Sequence, residues 1–251
     1  PPHECSSAAS DVYKRQMSNY DPTNFTILVV EDHKFSRQAL VGMLVRGGYE
    51  NLLCAKDGME AMTKCAENKI DLIITDINMP NINGLELIKA IRTNEAQIAC
   101  DTRIIAVTTL SDTATISACM TLEVDAFLVK PINIKSAKEK IQSAITEAKC
   151  LYQQHFYSDV STSINLAPQQ NEPDTTKRIR SIDSRVHELS QLSELKEGMT
   201  LVYDINAVSG GCLLRAGTIL NKKLILRLFE LSKIVDTNSI VVREDKTQMA
   251  V

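Results

Sequence analysis

Residues 71–84 read DLIITDINMPNING, and the opening of this stretch decides the fold. The strand candidate at residues 71–75 (DLIIT) is apolar at Leu72, Ile73 and Ile74 and leads directly into a carboxylate, Asp76. Continuous apolar residues, rather than alternating ones, are typical of strands that are covered on both faces in a parallel sheet. The stretch therefore predicts a buried strand with Asp76 at its carboxyl end.

Similar apolar runs lie on both sides of this segment, at residues 26–30, 51–55, 103–108 and 126–129. Helical windows alternate with them at residues 35–45, 58–68, 85–92, 113–122 and 134–149. The first window places four apolar residues on one side: Phe35, Leu40, Met43 and Leu44. Five β-α units in series predict an α/β fold, a five-stranded parallel, doubly wound (βα)5 unit over residues 25–150.

Polar side chains stand where these strands end. Glu31 and Asp32 follow the first strand, Asp76 the third and Lys130 the fifth, while Thr108 ends the fourth. Such folds bind ligands beyond the carboxyl ends of their strands, so we expect these groups to meet at one edge. Converging carboxylates repel each other unless a cation is present, and hard oxygen ligands favour Mg²⁺. A cation opposite the carboxylates suits an anion, so the set predicts aspartyl-phosphate chemistry.

Composition excludes several other classes of protein. The net charge of -3 gives no general attraction to nucleic acid or anionic membranes. No apolar run reaches the ~18 residues of a membrane helix. The seven cysteines form no Cys-x-x-Cys pair, so buried free thiols in a reducing cytoplasm are favoured over disulfides or zinc. Residues 1–16 have no apolar core of a signal peptide and are interpreted as a non-native leader before Met17.

The sequence resembles the response-regulator receiver family (CheY-like, flavodoxin-like fold). The matching elements are the pair Glu31-Asp32, the segment DINMPNING at residues 76–84, Thr108 after a strand, and FLVKP at residues 127–131. Any one of these would be weak, but four elements in the right order are specific. The resemblance covers about half of the chain.

The resemblance implies a role for each matching residue. Asp76 would be the phosphoacceptor, and Mg²⁺ would be held by Glu31, Asp32, Asp76 and the backbone carbonyl of Asn78. Lys130 and Thr108 would contact the phosphoryl oxygens, and Pro131 would follow a cis peptide bond. Phe127 is either core packing or a switch residue that moves inward, or both. His33 is predicted to face solvent at the start of a helix.

The same resemblance implies the partners. A sensor histidine kinase or phosphotransfer protein would supply the phosphoryl group, and no separate substrate is expected, so the chain would not be an enzyme. Phosphorylation would repack the face formed by the fourth helix, fifth strand and fifth helix, where an unknown downstream protein or a second copy in a homodimer would bind. An alternative function is that of a stand-alone phosphohydrolase with an aspartyl nucleophile. Such an enzyme requires a second acidic residue two positions after the nucleophile, and this chain has Asn78 at that position.

The remainder of the chain predicts a linker and a small second module. Residues 151–190 are rich in polar residues and are predicted to be a linker. A short helix is predicted over residues 186–195. A small α+β module of order β-β-α-β is predicted over residues 191–246. Its strands are expected at residues 199–208, 212–215 and 239–242, with a helix at residues 222–232 capped by Asn221.

The second module resembles a small unit found beside HD-type cyclic-dinucleotide phosphohydrolases, but the chain has no His-Asp dipeptide for that activity. The alternative output is DNA binding by a transcriptional regulator. Residues 186–251 contain eight Lys/Arg and eight Asp/Glu, which is not the basic footprint of a DNA reader, and only one helix is predicted. A protein-interaction or dimerising module is therefore favoured.

Overall fold

The N-terminal half of the chain alternates strands with helices, as its apolar runs predict. The computed structural model describes residues 21–109, 113–146, 151, 154–163, 186–208, 211–237 and 240–244, so the expectation for residues 1–16 lies outside the described residues. The strands are β1 (Ile27–Val30), β2 (Leu52–Ala55), β3 (Leu72–Asp76), β4 (Arg103–Thr108) and β5 (Ala126–Val129). The helices are α1 (Lys34–Arg46), α2 (Gly58–Glu67), α3 (Gly84–Arg92), α4 (Thr113–Thr121) and α5 (Ile134–Thr146).

The five strands form one parallel sheet in the order β2-β1-β3-β4-β5, which confirms the predicted fold class. Successive residues of β1 enter different cores: Ile27 and Val29 pack with α1 and α5, whereas Leu28 and Val30 pack with the other helices. Both faces are therefore covered, and this explains why the strands read as continuous apolar runs. The carboxyl ends of all five strands lie at the same edge.

Helix α1 buries only part of its predicted apolar side. Leu40 and Leu44 are buried one turn apart, but Phe35, which the periodicity places on the same side, is 73% exposed. Phe35 belongs to the first turn of α1, which begins shortly after β1 ends at the carboxyl edge of the sheet. His33 precedes it as the N-cap and is exposed, as predicted.

Helices α2 and α3 begin at the same edge of the sheet, and side chains fix their first turns. The Asp57 carboxylate accepts a hydrogen bond from the backbone N–H of Glu60 at 2.8 Å. Asn83 and Glu86 form a reciprocal capping box at the start of α3. The loops from β2 to α2 and from β3 to α3 are thus fixed by a strand at one end and by a capped helix at the other.

Parts of the predicted linker are ordered. Residues Gln154–Asp159 form a 3-10 helix, and the Tyr157 side chain is buried. The ammonium of Lys89 on α3 donates to the carbonyls of Ser158 and Val160 at 2.7 and 2.8 Å. The predicted helix over residues 186–195 is wrong: Val186–Leu189 is a strand, β6, followed by a 3-10 turn at Leu192–Glu194. A partner strand, not local periodicity, decides this conformation.

The C-terminal module (residues 186–244) has more strands than its predicted β-β-α-β order. The predicted strand over residues 199–208 is divided into two short strands that belong to different sheets. The elements after β6 are β7 (Met199–Leu201), β8 (Ile205–Asn206), β9 (Cys212–Leu214), α6 (Lys222–Glu230) and β10 (Ile240–Glu244). They form an antiparallel sheet of order β6-β10-β7 and a β8-β9 hairpin.

Helix α6 supplies the centre of the C-terminal module. The Asn221 side chain caps it by accepting from the backbone N–H of Leu224 at 2.8 Å, as predicted. Leu224, Leu228 and Leu231 are buried. They join one continuous apolar cluster with residues of α3 and α4, so the module packs on the N-terminal unit. In the described part of the chain, none of the helices is long and apolar enough to cross a membrane.

Candidate functional site

The strand order brings the predicted polar residues to neighbouring positions. β1, β3, β4 and β5 lie side by side, and each ends next to one of these groups. Glu31 comes directly after β1, Asp76 is the last residue of β3, Thr108 is the last residue of β4, and Lys130 comes directly after β5. The site is therefore built by the register of four adjacent strands.

Three carboxylates meet at this edge. One oxygen from each of Glu31, Asp32 and Asp76 lies within 4.8 Å of the others. Glu31 and Asp76 are buried, whereas Asp32 is exposed. Burial, together with the negative charge of Asp76, raises the pKa of Glu31, and Lys130 offsets only part of this effect. A bound cation would relieve this repulsion.

Lys130 is the cation that the protein itself places against these carboxylates. Its Nζ lies 2.9 Å from Oδ2 of Asp76 and 3.1 Å from Oε2 of Glu31. Burial alone lowers the pKa of Lys130, but the hydrogen bonds and charges of Asp76 and Glu31 outweigh burial and raise it. Lys130 is therefore charged and oriented toward the carboxylate that the sequence singles out.

Backbone contacts hold Asp76 in place. Its Oδ1 accepts a hydrogen bond from the backbone N–H of Ile77 at 2.9 Å, while Oδ2 faces Lys130. Gly84 approaches the same residue so closely that a Cβ there would lie 2.2 Å from the Asp76 carbonyl oxygen. Only glycine fits this position. Gly84 therefore allows the start of α3 to approach the Asp76 backbone, in addition to forming the turn that its sequence context indicates.

Arg37 was not singled out from the sequence, although it supports the acidic pair. Its Nη1 lies 2.5 Å from the Glu31 carbonyl oxygen and 3.2 Å from that of Asp32. These bonds tie the loop after β1 to the first turns of α1. The sequence does show a basic residue about one helical turn after an acidic pair. Such a residue is usually a solvated surface charge, so this pattern alone does not predict its contact with the loop.

The remaining predicted residues surround this centre. Thr108 is buried, and its carbonyl accepts from the Lys130 backbone N–H at 2.9 Å. The peptide bond between Lys130 and Pro131 is cis. Phe127 is 1% exposed and packs in the cluster on the α3 and α4 face of the sheet. Asn78 is exposed two residues after Asp76, and the ligand role of its carbonyl stays a prediction.

The donor set fits a hard divalent cation. Carboxylate oxygens on one side and open solvent at Asp32 match the preference of Mg²⁺ for a few protein oxygens and several waters. The three carboxylates carry more negative charge than Lys130 alone neutralises, so a divalent cation is favoured. With that cation and Lys130 both in place, the site also suits an anionic group such as a phosphoryl group. The residues present are therefore able to hold Mg²⁺ through Glu31, Asp32 and Asp76.

Comparison with known proteins identifies the family. A model of the response regulator receiver domain matches residues 27–142. The chain is 34% identical over 120 residues to the chemotaxis protein CheY homolog of Campylobacter jejuni, covering 47% of this chain and 91% of that protein. The chain belongs to the response regulator receiver family. Residues 27–142 are its receiver domain, and receivers of this family act in two-component signalling.

Two further relatives define the extent of the similarity. The chain is 29% identical over 154 residues to the sensor histidine kinase RcsC of Escherichia coli, covering 56% of this chain and only 16% of that protein. The solved structure of the Vibrio cholerae chemotaxis protein CheY4 is 31% identical, covers 48% of this chain and 98% of that one, and gives a TM-score of 0.44. The two sequence matches, over 120 and 154 residues, thus cover about half of this chain.

Proposed function

We propose that this chain is a cytoplasmic response regulator that accepts a phosphoryl group on Asp76 from a phosphohistidine donor, a sensor histidine kinase or a phosphotransfer protein. The observation that carries this proposal is the contact of the Lys130 ammonium with Asp76 beside two further carboxylates. A carboxylate nucleophile, a cation for the transferred group and a divalent-metal donor set are the parts that phosphoryl transfer needs.

The transfer exchanges one bond for another. An Asp76 carboxylate oxygen attacks phosphorus, the P–O bond forms, and the P–N bond to the donor imidazole breaks. The imidazole nitrogen leaves with the electron pair of that bond and takes up a proton. Lys130 neutralises charge on one phosphoryl oxygen, and the Thr108 hydroxyl donates to another.

Glu31, Asp32 and Asp76 would hold Mg²⁺, with the Asn78 carbonyl completing the share that the protein contributes. The ion, when bound, neutralises the negative charge that the carboxylates and the phosphoryl oxygens bring together. Arg37 contributes indirectly because it fixes the loop that carries Glu31 and Asp32.

The phosphohistidine donor has to approach the exposed side of this edge. Phe35 at the start of α1 is 73% exposed and Met59 at the start of α2 is 59% exposed, and both helices begin where the strands end. We propose that these two apolar side chains lie on the surface that the donor contacts. We expect Phe35→Ala to slow transfer from a protein donor while leaving transfer from acetyl phosphate unchanged.

The output is proposed to be a protein interaction rather than catalysis on a separate substrate. An added phosphoryl group brings nearly two negative charges to Asp76. Lys130 and Thr108 respond to that charge, and the packing around Phe127 transmits the response. Phe127 is already buried in this structure, so its burial alone does not report phosphorylation.

The experiment is incubation of the purified chain with acetyl phosphate, with and without Mg²⁺, followed by intact-mass analysis. The proposal predicts one added phosphoryl group that is lost in hydroxylamine, as an acyl phosphate is, and no addition when EDTA removes the metal. Asp32→Asn should require more Mg²⁺ for the same extent of labelling. Labelling that is indifferent to EDTA would contradict the proposed metal site.

A further inference from the structure

Residues 154–163, which we name the strap, follow the receiver domain and pack along α3. The strap is anchored at one end by Tyr157, whose side chain is 1% exposed. The Tyr157 hydroxyl donates to the carboxylate of Glu123, which lies between α4 and β5. Because β5 begins at the amino edge of the sheet, this anchor is at the edge opposite to the polar site. The strap therefore starts far from Asp76.

Lys89 holds the middle of the strap. Its ammonium, on α3, donates to the carbonyls of Ser158 and Val160 at 2.7 and 2.8 Å. These carbonyls lie at the end of the 3-10 helix Gln154–Asp159, where carbonyl oxygens have lost their helical partners. The cation satisfies two of them, so charge-assisted hydrogen bonds fix the strap to α3.

Asn83 holds the far end of the strap, at the edge of the sheet where the polar site lies. Its Nδ2 donates to the Thr162 carbonyl at 3.1 Å. Its Oδ1 accepts from the Glu86 backbone N–H at 2.9 Å and so caps α3. One side chain thus joins the strap, the start of α3 and the end of the loop that follows Asp76.

The strap runs in the direction opposite to α3. The nine residues of α3 rise by about 13 Å from its start to its end. The chain from Tyr157 to Thr162 spans at most about 17 Å, even when it is fully extended. These two lengths are similar, so the strap crosses from the amino edge to the carboxyl edge with little slack. Loss of one anchor therefore affects the others.

The loop from Asp76 to α3 is closed by a backbone contact, in which the Gly84 N–H donates to the Ile77 carbonyl at 2.9 Å. Between these two residues lies Asn78, whose carbonyl is a predicted ligand of Mg²⁺. Asn83 stands at the end of the loop, so its hydrogen bond to the strap fixes the loop from outside the receiver domain. A ligand on a fixed loop loses less conformational entropy when it binds.

We infer that the strap is a built part of the phosphorylation site and that Asn83 is the positioning residue through which it acts. The strap holds the loop that carries Asn78 and so raises the affinity of the site for Mg²⁺. The part of this inference that concerns Mg²⁺ rests on the proposed function. The family match ends at residue 142, whereas the unit that performs the chemistry extends to Thr162.

Asn83→Ser separates the two roles of this side chain. Serine caps a helix as well as asparagine does, but its hydroxyl is too short to reach the Thr162 carbonyl. In the metal-free full chain, amide exchange over residues 77–84 should rise about fivefold, as expected for the loss of one hydrogen bond. The Mg²⁺ dissociation constant, measured by calorimetry, should rise by a similar factor. The Mg²⁺ concentration for half-maximal labelling should rise more than the maximal rate falls.

Lys89→Met removes the middle anchor at a distance from the loop. It should raise exchange over residues 77–84 and the Mg²⁺ dissociation constant by about threefold to tenfold, since two charge-assisted hydrogen bonds are lost. Because both changes act through the strap, the double variant should match the larger single effect instead of multiplying the two.

The matched controls lie on α5. Asn133→Ser changes an asparagine at the start of that helix, whose Oδ1 accepts from the Lys135 backbone N–H at 2.8 Å. Lys138→Met changes an exposed lysine in the same helix. Neither change touches the strap, so both controls should leave the exchange of residues 77–84 and the Mg²⁺ dissociation constant unaltered.

The outcomes distinguish this inference from the proposed function. Absence of label on Asp76 in the unsubstituted chain contradicts the proposed function, whereas exchange in the metal-free chain still tests the strap. Exchange over residues 77–84 that is unchanged in both Asn83→Ser and Lys89→Met overturns the inference. Faster exchange with an unchanged Mg²⁺ dissociation constant overturns the claim that the strap sets the affinity of the site.

Discussion

Nζ of Lys130 lies 2.9 Å from Oδ2 of Asp76, and two strands that are not neighbours in the sheet bring these residues together. The contact gives Asp76 a fixed cation, and one oxygen each of Glu31 and Asp32 lies within 4.8 Å of an Asp76 oxygen. The arrangement poises Asp76 to receive an anionic group. It also makes the charge balance of the site sensitive to single substitutions.

Lys130→Met should slow labelling of Asp76 by about tenfold to a hundredfold, because a charge-assisted hydrogen bond to the transferred group is lost. The initial rate of labelling by acetyl phosphate at saturating Mg²⁺ measures this effect. Lys130→Arg keeps the charge and should recover part of the rate. Equal rates in Lys130→Met and the unsubstituted chain would remove Lys130 from the proposed chemistry.

Gly84→Ala should destabilise the chain by about 1–3 kcal/mol and reduce labelling of Asp76, since the new methyl group overlaps the Asp76 backbone. Urea denaturation measures the free energy of unfolding. Gly42→Ala is the matched control: nothing lies within 4 Å of its Cβ, in the interior of α1. That change should stabilise by about 0.5–1 kcal/mol, since alanine favours the helix. A neutral Gly84→Ala would show that the close approach is not needed.

Arg92→Met should cost about 3 kcal/mol or more of folding stability. Arg92 is buried and donates to four backbone carbonyls, those of Cys100, Thr102, Leu122 and Glu123. Its loss leaves these four carbonyls without the guanidinium donor and takes one of the cations away from the Asp125 carboxylate. Arg46→Met, an exposed arginine at the end of α1, should change stability by less than ~0.5 kcal/mol. Similar losses in both variants would contradict the assigned role of Arg92.

Alkaline pH should destabilise the fold partly through Cys65. Burial raises the pKa of this thiol from 9.0 to about 11. Because the folded pKa is higher, the stability associated with the protonated thiol is present below pH 9 and lost as pH rises toward 11. Stability should fall by at most about 1.4 kcal/mol per pH unit from this group. Urea denaturation from pH 8 to 11 should show a shallower fall in Cys65→Ala, and an identical slope would contradict the assignment.

The receiver half was predictable because both faces of its sheet are buried. A strand that is buried on both faces has apolar residues along most of its length, so the end of each apolar run in the sequence indicates the end of a strand. Because parallel strands end at the same edge of the sheet, the polar residues that follow these runs were expected to meet there. Periodicity does not show where the sheet stops beneath a helix. Phe35 continues the apolar side of α1 into its first turn, yet it is exposed to solvent.

The C-terminal half was less predictable because its conformation depends on distant partners. The predicted strand over residues 199–208 divides near Asp204, whose carboxylate accepts from the Ala216 backbone N–H at 2.7 Å. Val186–Leu189 becomes a strand only by pairing with β10. Lys223 and Arg92 look like ordinary surface charges in the sequence, since their partner Asp125 lies far along the chain. Such contacts leave no local pattern.

The most direct test of the central claim is the position of the phosphoryl group after reaction with acetyl phosphate and Mg²⁺. Reduction of the acyl phosphate with borohydride followed by peptide sequencing should place it on Asp76, and Asp76→Asn should take up none. Thermal denaturation of Asp76→Asn establishes that this variant is folded. A folded Asp76→Asn chain that is labelled as fast as the unsubstituted one would contradict the account.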